Sequence, residues 1–220
     1  MRIETCIIPG LAGPLEGLLN VPVQALAGRP TWVAVVCHPH PLYGGTFNNK
    51  VVFHLAKALS GLGWPVLRFN YRGVGASAGK LEKKAGTTAL LQAASEDLRA
   101  AQEWLLGCFP AAFVCGAGFS FGAQVVLQVA QSEPRLARVL AVGTPVGMED
   151  FSDVFSWVTH LHQPKLFIQG GADPFGPPAA IHRLFATAAS PKRLVLIPEA
   201  GHFFEGHLDE LRVAAASVKD

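Results

Sequence analysis

Short apolar runs and helical patterns take turns along this chain, and that alternation narrows its possible folds more than any other feature. Runs at 31–37, 65–70, 113–117, 138–143, 165–170 and 193–197 are short and apolar, as strands buried on both faces are. Helical patterns follow them at 49–62, 86–106, 123–130, 178–188 and 207–218. In the second of these, Leu90, Leu91, Ala94, Leu98 and Ala101 recur at the three-to-four spacing of one helix face. Strands alternating with helices predict an α/β fold: a mostly parallel central sheet, right-handed crossovers and helices on both faces. Two further runs, 4–8 and 16–21, read as an opening antiparallel pair. Charged residues make up 15% of the chain against a usual share of about 25%, which fits a sheet covered on both sides. Neither an internal repeat nor a low-complexity linker interrupts the pattern, so one domain is expected over residues 1–220.

Ligands of such sheets sit at the carboxyl ends of the strands, so the residues just past each run carry the chemistry. Past 113–117 comes Gly118-Phe119-Ser120-Phe121-Gly122, between an expected strand and an expected helix. A G-x-S-x-G in that context reads as a nucleophile elbow, a turn so tight that glycines must flank an outward-pointing serine. Past 165–170 comes Gly171-Ala172-Asp173-Pro174, and past 193–197 comes Pro198-Glu199-Ala200-Gly201-His202. A serine hydroxyl is a poor nucleophile until a base takes its proton. Imidazole, with an ordinary pKa of about 6.5, suits that task, and a carboxylate fixes its tautomer. Ser120, Asp173 and His202 thus form a candidate catalytic set. Glu149, Asp150 and Asp153 compete for the acid position, and His207 competes with His202 as base.

These residues carry a resemblance. The chain order Ser, Asp, His is that of the α/β-hydrolases, and the likeness runs over nearly the whole chain. More narrowly, His38-Pro39-His40-Pro41-Leu42-Tyr43-Gly44-Gly45 resembles the H-P-H-P-x-x-G-G segment of small bacterial lidless, carboxylesterase-like serine hydrolases. Arg72-Gly73-Val74-Gly75-Ala76-Ser77 is similar to the R-G-x-G-x-S stretch that follows the fourth strand in such proteins. The resemblance implies hydrolysis of an ester or related acyl group through an acyl-enzyme, without a cofactor. It implies an oxyanion hole made by the N–H of Phe121 and a second donor from the His38 loop. Prolines carry no N–H, so His40 is the candidate there, with Leu42 as the alternative. Only residues 144–164 separate two core strands, enough for one short helix near 151–158 but not for a cap. An open site is expected, with Tyr43, Phe47, Phe119, Phe175 and Phe203 as candidate lining, about half of them on the pocket and the others, Phe119 in particular, packed under the elbow; such a lining suits a small uncharged acyl group. Thioesterase or peptidase chemistry on the same residues, and a non-catalytic binding protein on the same fold, are the alternatives.

Other classes are disfavoured. A net charge of +2 offers no footprint for nucleic acid. Residues 104–132 lack any charge, but Pro110, four glycines and three glutamines break the stretch, so no membrane span is expected. Residues 1–5 do not resemble a secretory signal, and the four cysteines show no paired spacing; a cytoplasmic location with reduced thiols is the expectation. His38-x-His40 and His160-x-His162 look like ligand pairs, yet no third ligand type accompanies them, and no metal is expected. The Gly73/Gly75 loop lacks the third glycine of a dinucleotide fingerprint, and Arg72 reads as a loop brace. The expected partner is a small-molecule ester; the sequence carries no signal for oligomeric state.

Overall fold

The computed structural model describes residues 1–26, 28–81, 86–148 and 153–220. Its strands are β1 (Arg2–Gly10), β2 (Gly13–Val21), β3 (Trp32–Cys37), β4 (Val66–Phe69), β5 (Phe113–Phe119), β6 (Leu136–Val142), β7 (Lys165–Gly170) and β8 (Lys192–Ile197). They form one eight-stranded sheet in the order β1-β2-β4-β3-β5-β6-β7-β8. The hairpin β1–β2 and the pair β2–β4 are antiparallel, and every other pairing is parallel.

The interior strands show why a continuous apolar run was needed. On β3, Val33, Val35 and Cys37 enter one core while Ala34 and Val36 enter the other. A strand alternates its side chains, so a strand with helices on both sides has no polar face to offer. The first core takes the buried faces of α3 (Gly86–Cys108), α4 (Phe121–Ala130), α5 (Val154–His160) and α6 (Pro178–Thr187). The second takes those of α2 (Lys50–Gly61) and α7 (Leu208–Ala216). A short helix, α1 (Val23–Leu26), follows β2 where no helix was anticipated.

Local signals set the helix ends. Asn49 caps α2, its Oδ1 accepting from Val51 N at 2.9 Å and Val52 N at 3.5 Å. Gly63, at φ 84°, turns the chain after that helix. Proline opens α6, where its missing N–H costs nothing. Residues 143–164 link β6 to β7 and, as described, carry only the seven-residue α5. The expected start of that helix at 151, and the rival acids Glu149 and Asp150, lie outside the described residues.

The turn after β4 is held by charge. Arg72 Nε and Nη2 donate to Asp97 Oδ1 at 2.9 and 2.7 Å, and the Arg72 backbone N–H donates to Oδ2 at 2.8 Å. Asp97 is fully buried within α3, so removing the guanidinium strands a carboxylate in the core. Breaking such a pair costs roughly 3–5 kcal/mol. Arg72→Met is expected to lower the free energy of urea unfolding by about that amount, with an unchanged m-value.

Candidate active site

The elbow begins with two glycines that cannot be replaced in place. A Cβ on Gly118 would lie 2.1 Å from the Gly122 carbonyl oxygen, and one on Gly122 would lie 2.4 Å from that of Cys37. Between them Ser120 is forced to φ 56°, ψ −120°, a conformation that L residues rarely adopt. Its N–H is held by Val142 O at 2.9 Å, which ties the turn to the end of β6.

The loops after β7 and β8 interlock in the same way. A Cβ on Gly170 would sit 2.3 Å from Ala200 O. Gly171 N donates to Ile197 O at 2.8 Å and Ala172 N to Ala200 O at 2.9 Å. This clasp brings together two residues that lie 29 apart in sequence: His202 Nδ1 is 2.8 Å from Asp173 Oδ2. On its other side His202 Nε2 is 3.0 Å from Ser120 Oγ. A carboxylate accepts only, so Nδ1 carries a proton toward Asp173 and Nε2 is left to accept from the serine hydroxyl.

Asp173 is nearly fully buried, and its second oxygen, Oδ1, accepts from Phe175 N at 2.8 Å and Gly176 N at 3.3 Å. Gln169 Nε2 adds a donor to Oδ2 at 2.7 Å. Each oxygen of Asp173 thus has two hydrogen-bond partners. Three rings bound the imidazole of His202: Phe119, Phe175 and Phe203, at centroid distances of 5.0, 4.8 and 5.1 Å.

A cavity of about 450 Å³ opens above Ser120. Its walls include His40, Tyr43, Phe121, Met148, Phe175 and Phe203, with Asn49 at the rim of α2. Of the aromatic residues expected to line it, Tyr43, Phe175 and Phe203 do. Phe119 does not: it is fully buried and packs beneath His202. Phe47 does not either. It is buried, its N–H on Asn70 Oδ1 at 2.8 Å and its carbonyl on Arg68 Nη1 at 3.1 Å, where it anchors the loop before α2.

The loop after β3 approaches the elbow from the far side. Phe121 is the first residue of α4, so its N–H has no acceptor within the helix. His40 lines the cavity, whereas Leu42 packs against the core and is not in the wall. The Pro-rich segment owes its shape to its glycines and to His38. A Cβ on Gly45 would meet Pro39 O at 2.1 Å, and Gly44 turns at φ 78°. His38 is fully buried, with Nδ1 donating to Pro39 O at 2.7 Å and Nε2 accepting from Tyr71 N at 3.3 Å. Both ring nitrogens are used by the backbone, so this histidine braces the loop and ligates nothing.

The remaining candidates lie apart from this cluster. Asp153 is exposed ahead of α5. His207 Nδ1 pairs with Glu210 Oε1 at 3.0 Å at the start of α7. Among the described residues no group of three or more His, Cys, Asp or Glu is placed to hold a metal, and no helix is long and apolar enough to cross a membrane. Sequence reasoning passed over Gln169, although a polar residue near the end of an apolar strand was a visible signal. It also passed over Asn49 and Met148, which nothing marked.

Residues 23–220 match the model of the dienelactone hydrolase family. The chain belongs to that family. An uncharacterized protein of Rickettsia prowazekii is 39% identical over 142 residues, 64% of this chain and 56% of that one. A second, from Mycobacterium tuberculosis, is 35% identical over 177 residues, 72% of this chain and 60% of that one. The chain therefore matches a little over half the length of these two relatives. Among solved structures, an alpha-beta serine hydrolase homologue from Coxiella burnetii is 36% identical with a TM-score of 0.85, covering 99% of this chain and 97% of that one. A serine hydrolase without lid from Xanthomonas campestris is 34% identical with a TM-score of 0.83, covering 99% and 94%. This member of the dienelactone hydrolase family has the α/β-hydrolase fold of these neighbours, and its described residues insert no cap domain between the strands.

Burial also gives the loop brace a pH signature. Desolvation lowers the His38 pKa from 6.5 to about 4. The folded protein holds this ring neutral while the unfolded chain protonates it. His38 therefore contributes stability in full above about pH 6.5 and loses it as pH falls toward 4. Unfolding free energy measured by urea titration is expected to drop across that window, and less steeply in His38→Asn.

Proposed function

We propose that this family member is a serine hydrolase that cleaves small uncharged esters through an acyl-enzyme. One observation carries the reading: the hydrogen-bonded chain Ser120–His202–Asp173 ends in a cavity wall with no Asp, Glu, Lys or Arg among its described residues. In the proposed reaction Ser120 Oγ attacks the acyl carbon as His202 Nε2 takes its proton. Asp173 keeps the ring in the required tautomer and offsets the imidazolium charge. The N–H groups of Phe121 and His40 receive the oxyanion; each such donor contributes about 10²–10³ in rate. His202 then gives the proton to the departing alkoxide. Water repeats the sequence on the acyl-enzyme, His202 returning the proton to Ser120.

The walls decide what is accepted. Burying a charged acyl group here would leave it unpaired, whereas an apolar one gains about 0.8 kcal/mol for each methylene removed from water. The cavity is open, and Tyr43 is 86% exposed at its lip, so that gain ends after the first few carbons. Thioesters and lactones offer the same acyl carbon to the same serine.

A fluorophosphonate probe is expected to label the protein once, on Ser120, and Ser120→Ala to abolish labelling by intact-mass analysis. Labelling that survives the substitution removes Ser120 as nucleophile. Asp173→Asn is expected to lower kcat by about 10⁴, since the amide favours the wrong tautomer. Across p-nitrophenyl acetate to palmitate, kcat/KM is expected to rise little beyond short chains and to show no jump at the micelle threshold. A strong long-chain preference refutes the open, short-acyl site.

A further inference from the structure

Gln169 is the penultimate residue of β7 and is fully buried in a strand whose other members are apolar or carry their polar groups elsewhere. Its Nε2 donates to Asp173 Oδ2 at 2.7 Å and to Gly176 O at 3.0 Å. Both neighbours are acceptors, so the amide has one possible orientation. Its buried Oε1 has no hydrogen-bond partner among the described residues. Leaving such a group unsatisfied costs about 1–3 kcal/mol, which a leucine at this place would avoid. Such a conflict between local stability and residue choice marks functional sites.

The amide also fills its space fully. A Cβ on Gly176 would lie 2.4 Å from Gln169 Nε2 and 2.4 Å from Thr144 O. The amide, Gly176 and the strand-end turn therefore form one packed unit around the carboxylate. Oδ2 is the oxygen shared by Gln169 and His202, while Oδ1 is held by backbone alone.

We infer that Gln169 is a positioning residue, which acts through Asp173 to set the orientation and hydrogen-bonding strength of the oxygen that holds His202. The inference rests on the proposed roles of Ser120, His202 and Asp173. Two donors on one oxygen fix its lone pairs, so the carboxylate cannot rotate away from Nδ1. The amide also shares the charge of Oδ2, which tempers its hold on an imidazolium and lets His202 release its proton to the leaving group. Among the described residues, the titratable groups bonded to this cluster are Asp173 and His202, with Ser120 beyond. The segment after β6 brings the uncharged Thr144, and the segment before α6 brings Phe175 and Gly176.

The test compares wild type with Gln169→Leu and the near-isosteric Gln169→Glu, each titrated with a fluorophosphonate so that kcat is expressed per reactive site. Gln169→Leu is expected to lower kcat by roughly 10–100-fold, the range seen when an outer hydrogen-bond partner of a fixed ligand is removed, with KM nearly unchanged. Gln169→Glu places a second carboxyl against Asp173. Two carboxyls at hydrogen-bond distance share one proton, so the glutamic acid donates to Oδ2 in the amide's place until the pair ionises; kcat per site is expected to stay near wild type at low pH and to fall with a new alkaline limb that wild type lacks. It remains the informative variant if the leucine protein does not fold. A merely structural role changes melting temperature and the number of titratable sites, but neither kcat per site nor the limbs of the pH profile. Wild-type labelling at Ser120 with a leucine variant of wild-type kcat per site, or a glutamate variant that shows no alkaline limb, overturns the role of Gln169 alone. Wild-type labelling elsewhere overturns the nucleophile assignment, and this inference with it.

Discussion

The carboxyl edge of the sheet depends on how closely β5, α4 and the loop after β3 approach one another. The Gly118–Gly122 and Gly122–Cys37 contacts leave no volume for a single methyl group. That closeness forces Ser120 into a strained backbone state, at a cost of about 1–3 kcal/mol. The apolar burial of β3, β5 and α4 around it sustains the strain. The same approach places the first N–H of α4 beside the His38–Gly45 loop, so the proposed nucleophile and its proposed anion-binding partners are set by one packing event. A looser junction would relax the serine and separate the donors together.

A second close contact, Gly170 against Ala200, does for Asp173 and His202 what the first does for Ser120. Here the loops after β7 and β8 grip each other through backbone, and the side chains follow. The Phe119, Phe175 and Phe203 rings leave the imidazole little room to turn. Rigid strands thus hold the whole arrangement, and no described segment must close over it. Preorganisation of this kind is how a small domain without a cap can orient reacting groups before substrate arrives.

The alternation of strand and helix was legible because parallel strands buried on both faces cannot hide their composition. The strand ends were legible for the same reason, and they located Ser120, Asp173 and His202. What each neighbouring aromatic does was not legible. Phe119 and Phe175 look alike in sequence, yet Phe119 ends β5, where alternation points it beneath the sheet edge, and Phe175 lies on a loop whose path depends on Gly176 and Gly147. Phe47 was misread because the residues that anchor its backbone, Arg68 and Asn70, arrive from a strand and turn about twenty residues downstream. Gln169 was missed because a single polar residue in an apolar run has no periodicity to announce it.

The shallow mouth has a consequence for product identity. With no described segment to expel solvent, anything small enough to pass Tyr43 and Phe203 reaches the acyl group that the proposed reaction holds on Ser120, from the side by which the first alcohol left. Water enjoys no privileged path. On the proposed chemistry, the fate of the acyl group is then a competition decided by concentration and nucleophilicity: in dilute buffer it ends as an acid, and in a medium rich in short alcohols it is handed on as a new ester.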